Sequence, residues 1–136
     1  MITRLQHDDY DALACFRYAL RKFLRFSKTT LEAHELTPEQ YEALLALKAF
    51  GSSTGLTIGE LSERVQVKHH TAVSLVAKLV ARKLVSRKSR ARDRRHVHLT
   101  LTAAGNSVLA RMAAIHRQEI RMRSIEIIAA LVRLQK

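Results

Sequence analysis

Residues Thr57 to Lys83 read TIGELSERVQVKHHTAVSLVAKLVARK, and the punctuation of this stretch decides the fold. Thr57 followed three residues later by Glu60 has the form of a capping box, in which each side chain meets the other's backbone amide. A short helix over about Ile58 to Val65 follows. After a break at Gln66 and Val67, HHTAVSLVAKLVARK predicts a second helix over residues 69–83. Its apolar residues Val73, Val76, Leu79 and Val80 fall on one side, while His70, Ser74 and Lys78 stand four apart on the other with Thr71 beside them. A short helix, a tight break and a helix with a free polar face make a helix-turn-helix.

Downstream, Leu84 to Lys88 is a short strand candidate, and His96 to Leu101 alternates, with Val97, Leu99 and Leu101 inward and His96, His98 and Thr100 outward. Ser89 to Asp93 links the two as a hairpin loop. A hairpin after a helix-turn-helix is a wing. Its charge is concentrated: from Lys78 to Arg95 there are nine basic residues against Asp93, a net +8 of the chain's +12, so the other 118 residues carry only +4. Repulsion among these cations is tolerable in water or against an anionic partner, and a local patch argues for a polyanion.

Around this module the chain reads as helix. From Asp8 to about His34, Leu13, Phe16, Leu20, Phe23, Leu24 and Leu31 recur at three- and four-residue steps without Gly or Pro. Thr37-Pro38-Glu39-Gln40 then has an N-cap threonine, proline at the first helical position and glutamine at the third, and a helix runs from it to about Phe50. Gly51 to Gly55 is a turn by composition. Thr102 to about Gln135 reads as helix with one break near Ser124, carrying Val108, Leu109, Met112, Ile115, Ile120, Ile127, Ile128, Leu131 and Leu134. Both end helices have more apolar surface than one small module covers, which favours a homodimer over burial within one subunit. The fold class is mainly α with a small β-hairpin wing, a single domain over residues 1–136 in which 8–35 and 102–135 are dimerisation helices and 36–101 the winged helix-turn-helix.

The totals narrow the function. With 136 residues and 47% apolar content the chain can bury one core. No apolar run approaches the roughly 18 to 20 residues of a membrane span, and MITRLQHDDY lacks the apolar core of a secretion signal, so a cytoplasmic location without membrane contact is expected. One cysteine, Cys15, can form no internal disulfide. No nucleophile elbow, phosphate loop, zinc-hydrolase helix or dinucleotide fingerprint occurs, so neither an enzyme nor a bound cofactor is expected. His96 and His98 share a strand face but lack further ligands, so no metal site is expected.

A recognition helix must present short hydrogen-bonding groups near its N-terminus to base edges, where phosphates also meet free amides. Lys68, His69, His70, Thr71, Ser74 and Lys78 meet this description for the major groove. In the wing over residues 88–96, arginines among Arg90, Arg92, Arg94 and Arg95 can enter the negative minor groove, while neighbours, with Arg87 and Lys88, pair with phosphates on either side. Asp93 among the arginines can accept from one guanidinium and fix its direction before binding. A solvated helix face and a loose basic loop are the plainer alternatives.

The segments Leu61 to Arg87, LSERVQVKHHTAVSLVAKLVARKLVSR, and Ser89 to Gly105, SRARDRRHVHLTLTAAG, together resemble the winged helix-turn-helix of the MarR (multiple antibiotic resistance regulator) transcription factors. The family's Asp-x-Arg wing signature falls at Asp93-Arg94-Arg95, followed by Leu99-Thr100-Leu101-Thr102 and Gly105. The resemblance implies a transcriptional repressor acting as a homodimer on a pseudo-palindromic double-stranded DNA operator and relieved by a small-molecule inducer. It also implies that Asp93 orients Arg95 toward the minor groove with Arg92 and Arg94 near phosphates. One departure stands out: Lys83 occupies a turn position where the family usually has glycine, so either a positive φ at a residue with a Cβ or a different turn geometry is expected. Competing readings are an architectural or nucleoid protein binding DNA by charge, a module docking an acidic protein or RNA, and a redox sensor acting through Cys15. Packing as a small apolar residue is the ordinary expectation for that cysteine.

Overall fold

The computed structural model describes residues 4–90 and 93–136, with the side chains of residues 90–96 outside the described set. Five helices and one hairpin follow in the order α1 (His7–Glu32), α2 (Pro38–Phe50), α3 (Ile58–Val65), α4 (His69–Ala81), β1 (Val85–Arg90), β2 (Asp93–Leu101) and α5 (Ala103–Leu134). The expected capping boxes form: Thr37 Oγ1 accepts from the Gln40 amide at 3.1 Å, and Thr57 Oγ1 from the Glu60 amide at 3.2 Å.

Three helices end in the same way on residues with a Cβ. Glu35, Gln66 and Lys83 have φ of 60, 55 and 61°. At the last of these the Lys83 amide reaches the Val80 carbonyl and the Leu84 amide the Leu79 carbonyl, the bond pair of a Schellman motif. Of the two turn geometries open at Lys83, the positive φ is the one present. At Gln66 the same pattern forms the tight corner of the helix-turn-helix, with the Val67 amide on the Ser62 carbonyl at 3.1 Å.

The core gathers Leu31, Leu44, Leu47, Leu61, Val76, Leu79, Val85, Leu99 and Met112 from every helix and both strands. Long helix α5 lies along α1 and reaches α2 and the wing. Its C-terminal end meets the start of α1, where Arg133 donates to Asp8 and, at 2.7 Å, to Asp11. Between these helices His116 is buried: its Nδ1 faces the Met112 carbonyl at 2.7 Å and its Nε2 the Ser27 hydroxyl at 2.8 Å. A carbonyl only accepts, so Nδ1 carries a proton. The imidazole stacks on Tyr41 of α2 at 4.5 Å, joining three helices at one ring.

The start of α5 is pressed against the turn after α4. Thr102 Oγ1 lies 2.7 Å from the Lys83 carbonyl and 3.0 Å from the Gly105 amide. A Cβ on Gly105 would meet the Leu84 carbonyl oxygen at 2.0 Å, so only glycine permits this approach.

Several expectations need correction. The strands run further than the alternation suggested, to Arg90 and from Asp93, so Ser89 and Arg90 pair within the hairpin instead of forming its loop. A register shift between Ser89 and Arg90 breaks the alternation that would have announced the pairing. Leu56 adds a bridge to Leu99, a minimal third strand. His98 is half-buried rather than turned to solvent, like its neighbours Val97 and Thr100. Helix α5 passes through Ser124 unbroken, the hydroxyl bonding back to the Arg121 carbonyl at 3.1 Å. Val73 is not on the packed side of α4: the buried stripe is Ala72, Leu75, Val76 and Leu79, and Val73 is 41% exposed.

Candidate nucleic-acid interface

Helix α4 sits on α3 through that stripe, at the i, i+3, i+4, i+7 spacing of one helical face. The opposite face is therefore turned outward by packing. Lys68, His69, His70, Thr71, Ser74 and Lys78 are all exposed. Lys68 is the N-cap and gives no side-chain oxygen to the first turn, and that turn holds no acid. Its unpaired amides and the positive end of the helix dipole lie beside exposed Lys68, His69 and His70, which suits an anion.

The polar face borders α2. Thr37, Glu39 and Gln40 line one wall and His70, Thr71, Ser74 and Lys78 the other of an open groove of about 380 Å³. The junction is held from below by Arg82, which sequence reasoning counted only as charge. Its guanidinium donates to the Glu35 carbonyl and, at 3.3 Å, to Gln40 Oε1. Arg82 thus fixes the end of α4 to the turn between α1 and α2.

In the wing, Arg87 and Lys88 are exposed. Arg87 is paired with Leu99 and Lys88 with His98, and successive strand residues point to opposite faces. The two cations therefore leave the hairpin from opposite sides and cannot serve the same stretch of a partner's backbone. The side chains of Arg90, Arg94, Arg95 and Asp93, and all of Arg92, lie outside the described residues.

Electrostatic features elsewhere are structural. Hydrogen bonds from the Thr57 amide and hydroxyl hold the Glu60 carboxyl below the ordinary glutamate range. Bonding to Arg133 similarly lowers Asp11. Cys15 is exposed, against the packing expectation, and its Sγ lies 3.8 Å from Asp11 Oδ2, an acid rather than a cation. Among the described residues no group of three or more His, Cys, Asp or Glu could hold a metal ion, and no helix is long and apolar enough to cross a membrane.

Two features of this face escaped sequence reasoning. Arg82 had no local signal, since its partners lie 42 and 47 residues away. Val73 had one: the spacing of Ala72, Leu75, Val76 and Leu79 is the cleaner stripe, masked by the small size of alanine.

The MarR family model matches residues 34–96. The chain is 32% identical over 77 residues to the HTH-type transcriptional repressor MdtR of Bacillus subtilis, a match covering 57% of this chain and 48% of that one. It thus spans about half the length of the curated relative it matches. The MepR–DNA complex of S. aureus superposes with a TM-score of 0.69 at 26% identity, covering 83% of this chain and 80% of that one. The YusO protein of Bacillus subtilis does so with a TM-score of 0.66, also at 26% identity, covering 85% and 79%.

Proposed function

We propose that this chain, whose residues 34–96 match the MarR family model, is a MarR-family winged-helix protein and a dimeric, sequence-specific DNA-binding transcriptional repressor relieved by a small-molecule ligand. The observation that carries the reading is the division of α4, with Ala72, Leu75, Val76 and Leu79 buried while Lys68, His69, His70, Thr71, Ser74 and Lys78 are exposed together. Such a face fits the major groove, with phosphates at its N-terminal end. The wing then enters the minor groove, Arg95 reading it, Asp93 orienting Arg95, and Arg90, Arg92 and Arg94 neutralising phosphates. Arg87 and Lys88 meet backbone on either side of the hairpin.

The dimer is proposed through α1 and α5, within a single domain whose winged module spans 36–101. Ile115, Ile120, Met122, Ile125, Ile128, Leu131 and Val132 of α5 are exposed although α5 already lies along α1. A second copy is the natural cover for so long an apolar strip. Two modules related by a two-fold axis then read a pseudo-palindrome. Ligand relief is what the family resemblance implies, and a cytoplasmic location accompanies a DNA partner.

The test is selection of bound duplexes from a random DNA pool, followed by affinity for the winner and for scrambled DNA across a salt series. A two-fold-related consensus bound about a thousandfold or more above scrambled DNA is the expected result. Equal, steeply salt-dependent binding to every duplex would instead identify an architectural protein.

A further inference from the structure

On α4's outward face Val73 is out of character. It is 41% exposed, and among the described residues from Gly51 to Ala114 it is the only large hydrophobic side chain that is exposed. It lies in the second turn of the helix, next to exposed Ser74 and one turn from exposed His69 and Ala77. A solvated position in a helix gains from a long polar residue, which has better helix propensity than β-branched valine. Valine here lies outside the buried stripe of Ala72, Leu75, Val76 and Leu79, so the core contributes little to offset that disadvantage.

Double-stranded DNA presents one apolar group in the major groove, the C5-methyl of thymine. Val73 sits among the polar residues proposed above to face base edges, at a depth along the helix that follows His69 and His70 and precedes Lys78. We propose that Val73 is a specificity-determining residue that reads thymine, its γ-methyl groups packing on a thymine methyl in each half of the operator. The proposal rests on the DNA-binding reading and adds to it the identity of one base. Ala77, small and one turn further on, leaves room for that methyl beside Val73.

The test replaces the thymines of one selected half-site, one at a time, by deoxyuridine, which removes only the methyl group and keeps every hydrogen-bonding edge. Affinity is measured for the full-length protein and for Val73→Ala and Val73→Thr. One position should lose about fourfold with the unmodified protein, the effect of taking one methyl out of apolar contact. In Val73→Ala the loss at that position should vanish while the losses caused by changing other base pairs persist. Val73→Thr keeps the shape and one γ-methyl and should retain part of the effect. Because Val73 lies outside the buried core, thermal melting of both variants should show no loss of folding cooperativity and only a small shift from the parent, which separates a reading defect from a folding defect. A deoxyuridine scan without a sensitive position, or a sensitive position that stays sensitive in Val73→Ala, overturns the assignment while leaving sequence-specific binding intact. Loss of all sequence preference in the unmodified protein overturns the DNA-regulator reading itself.

Discussion

Thr102 Oγ1 lies 2.7 Å from the carbonyl of Lys83, the residue that takes φ of 61° where α4 turns into β1. The hydroxyl donates to that carbonyl and accepts from the Gly105 amide, so the start of α5 and the end of α4 share one anchor. This joint sets how the wing leaves α4 relative to the long helix.

Lys83 takes this conformation against the preference of a residue with a Cβ, at a cost of about 1–2 kcal/mol. Glycine avoids that cost but loses about 0.5–1 kcal/mol to its freer unfolded chain. Lys83→Gly is therefore expected to stabilise the protein by roughly 0.5–1 kcal/mol. Urea unfolding of the two proteins side by side checks this, and a destabilised glycine variant would show that the turn is not strained.

Ser27 of α1 and His116 of α5, 89 residues apart in sequence, form a buried pair. Ser27→Ala leaves Nε2 in the core without a partner and should cost about 1–3 kcal/mol. His116→Phe keeps a ring against Tyr41 but loses the bonds to Ser27 and Met112. If the pair is the reason for each cost, the double variant should be less destabilised than the two single variants added together. Additive costs in a denaturation cycle would show that the ring matters only as filler.

Acid should weaken α3 through Glu60. Its carboxyl is held below the ordinary range by Thr57, so the charged form is favoured in the folded state. For a depressed carboxyl the contribution is fully present above the unfolded value, near pH 4.3, and is lost as pH falls through the folded value. Glu60→Gln retains a capping box without the ionisation. Its stability should fall less steeply than the parent's below about pH 4.3, measured by denaturant midpoint at each pH.

The wing should divide its labour. Arg95→Ala should weaken specific binding by roughly 1–3 kcal/mol and relax sequence preference, and Asp93→Ala should move in the same direction. Lys88→Ala should weaken all duplexes about equally and lower the salt slope by about 1. Binding isotherms on operator and scrambled DNA at several salt concentrations distinguish the two patterns. Identical effects from all three substitutions would leave the wing as undifferentiated charge.

What the sequence by itself determined is local. The capping boxes at Thr37 and Thr57 and the break at Gln66 depend on residues within about four positions of one another, so their chemistry can be read along the chain, whereas the turn at Lys83 was open to a positive φ only through the family resemblance. The gathering of positive charge from Lys78 to Arg95 is equally legible, because charge needs no partner to be counted. The free polar side of α4 was legible too, but tertiary packing settled the edge of the buried stripe, where Leu75 is covered and the similarly apolar Val73 is left 41% exposed. It decided that Arg82 is a tie to Gln40 and not a free cation, and that His116 meets Ser27. It also extended the hairpin past the point where alternation fails, and carried α5 through Ser124 on its packing against α1. Each of these rests on groups far apart in sequence, whose meeting is set by burial of the shared core rather than by any short-range preference.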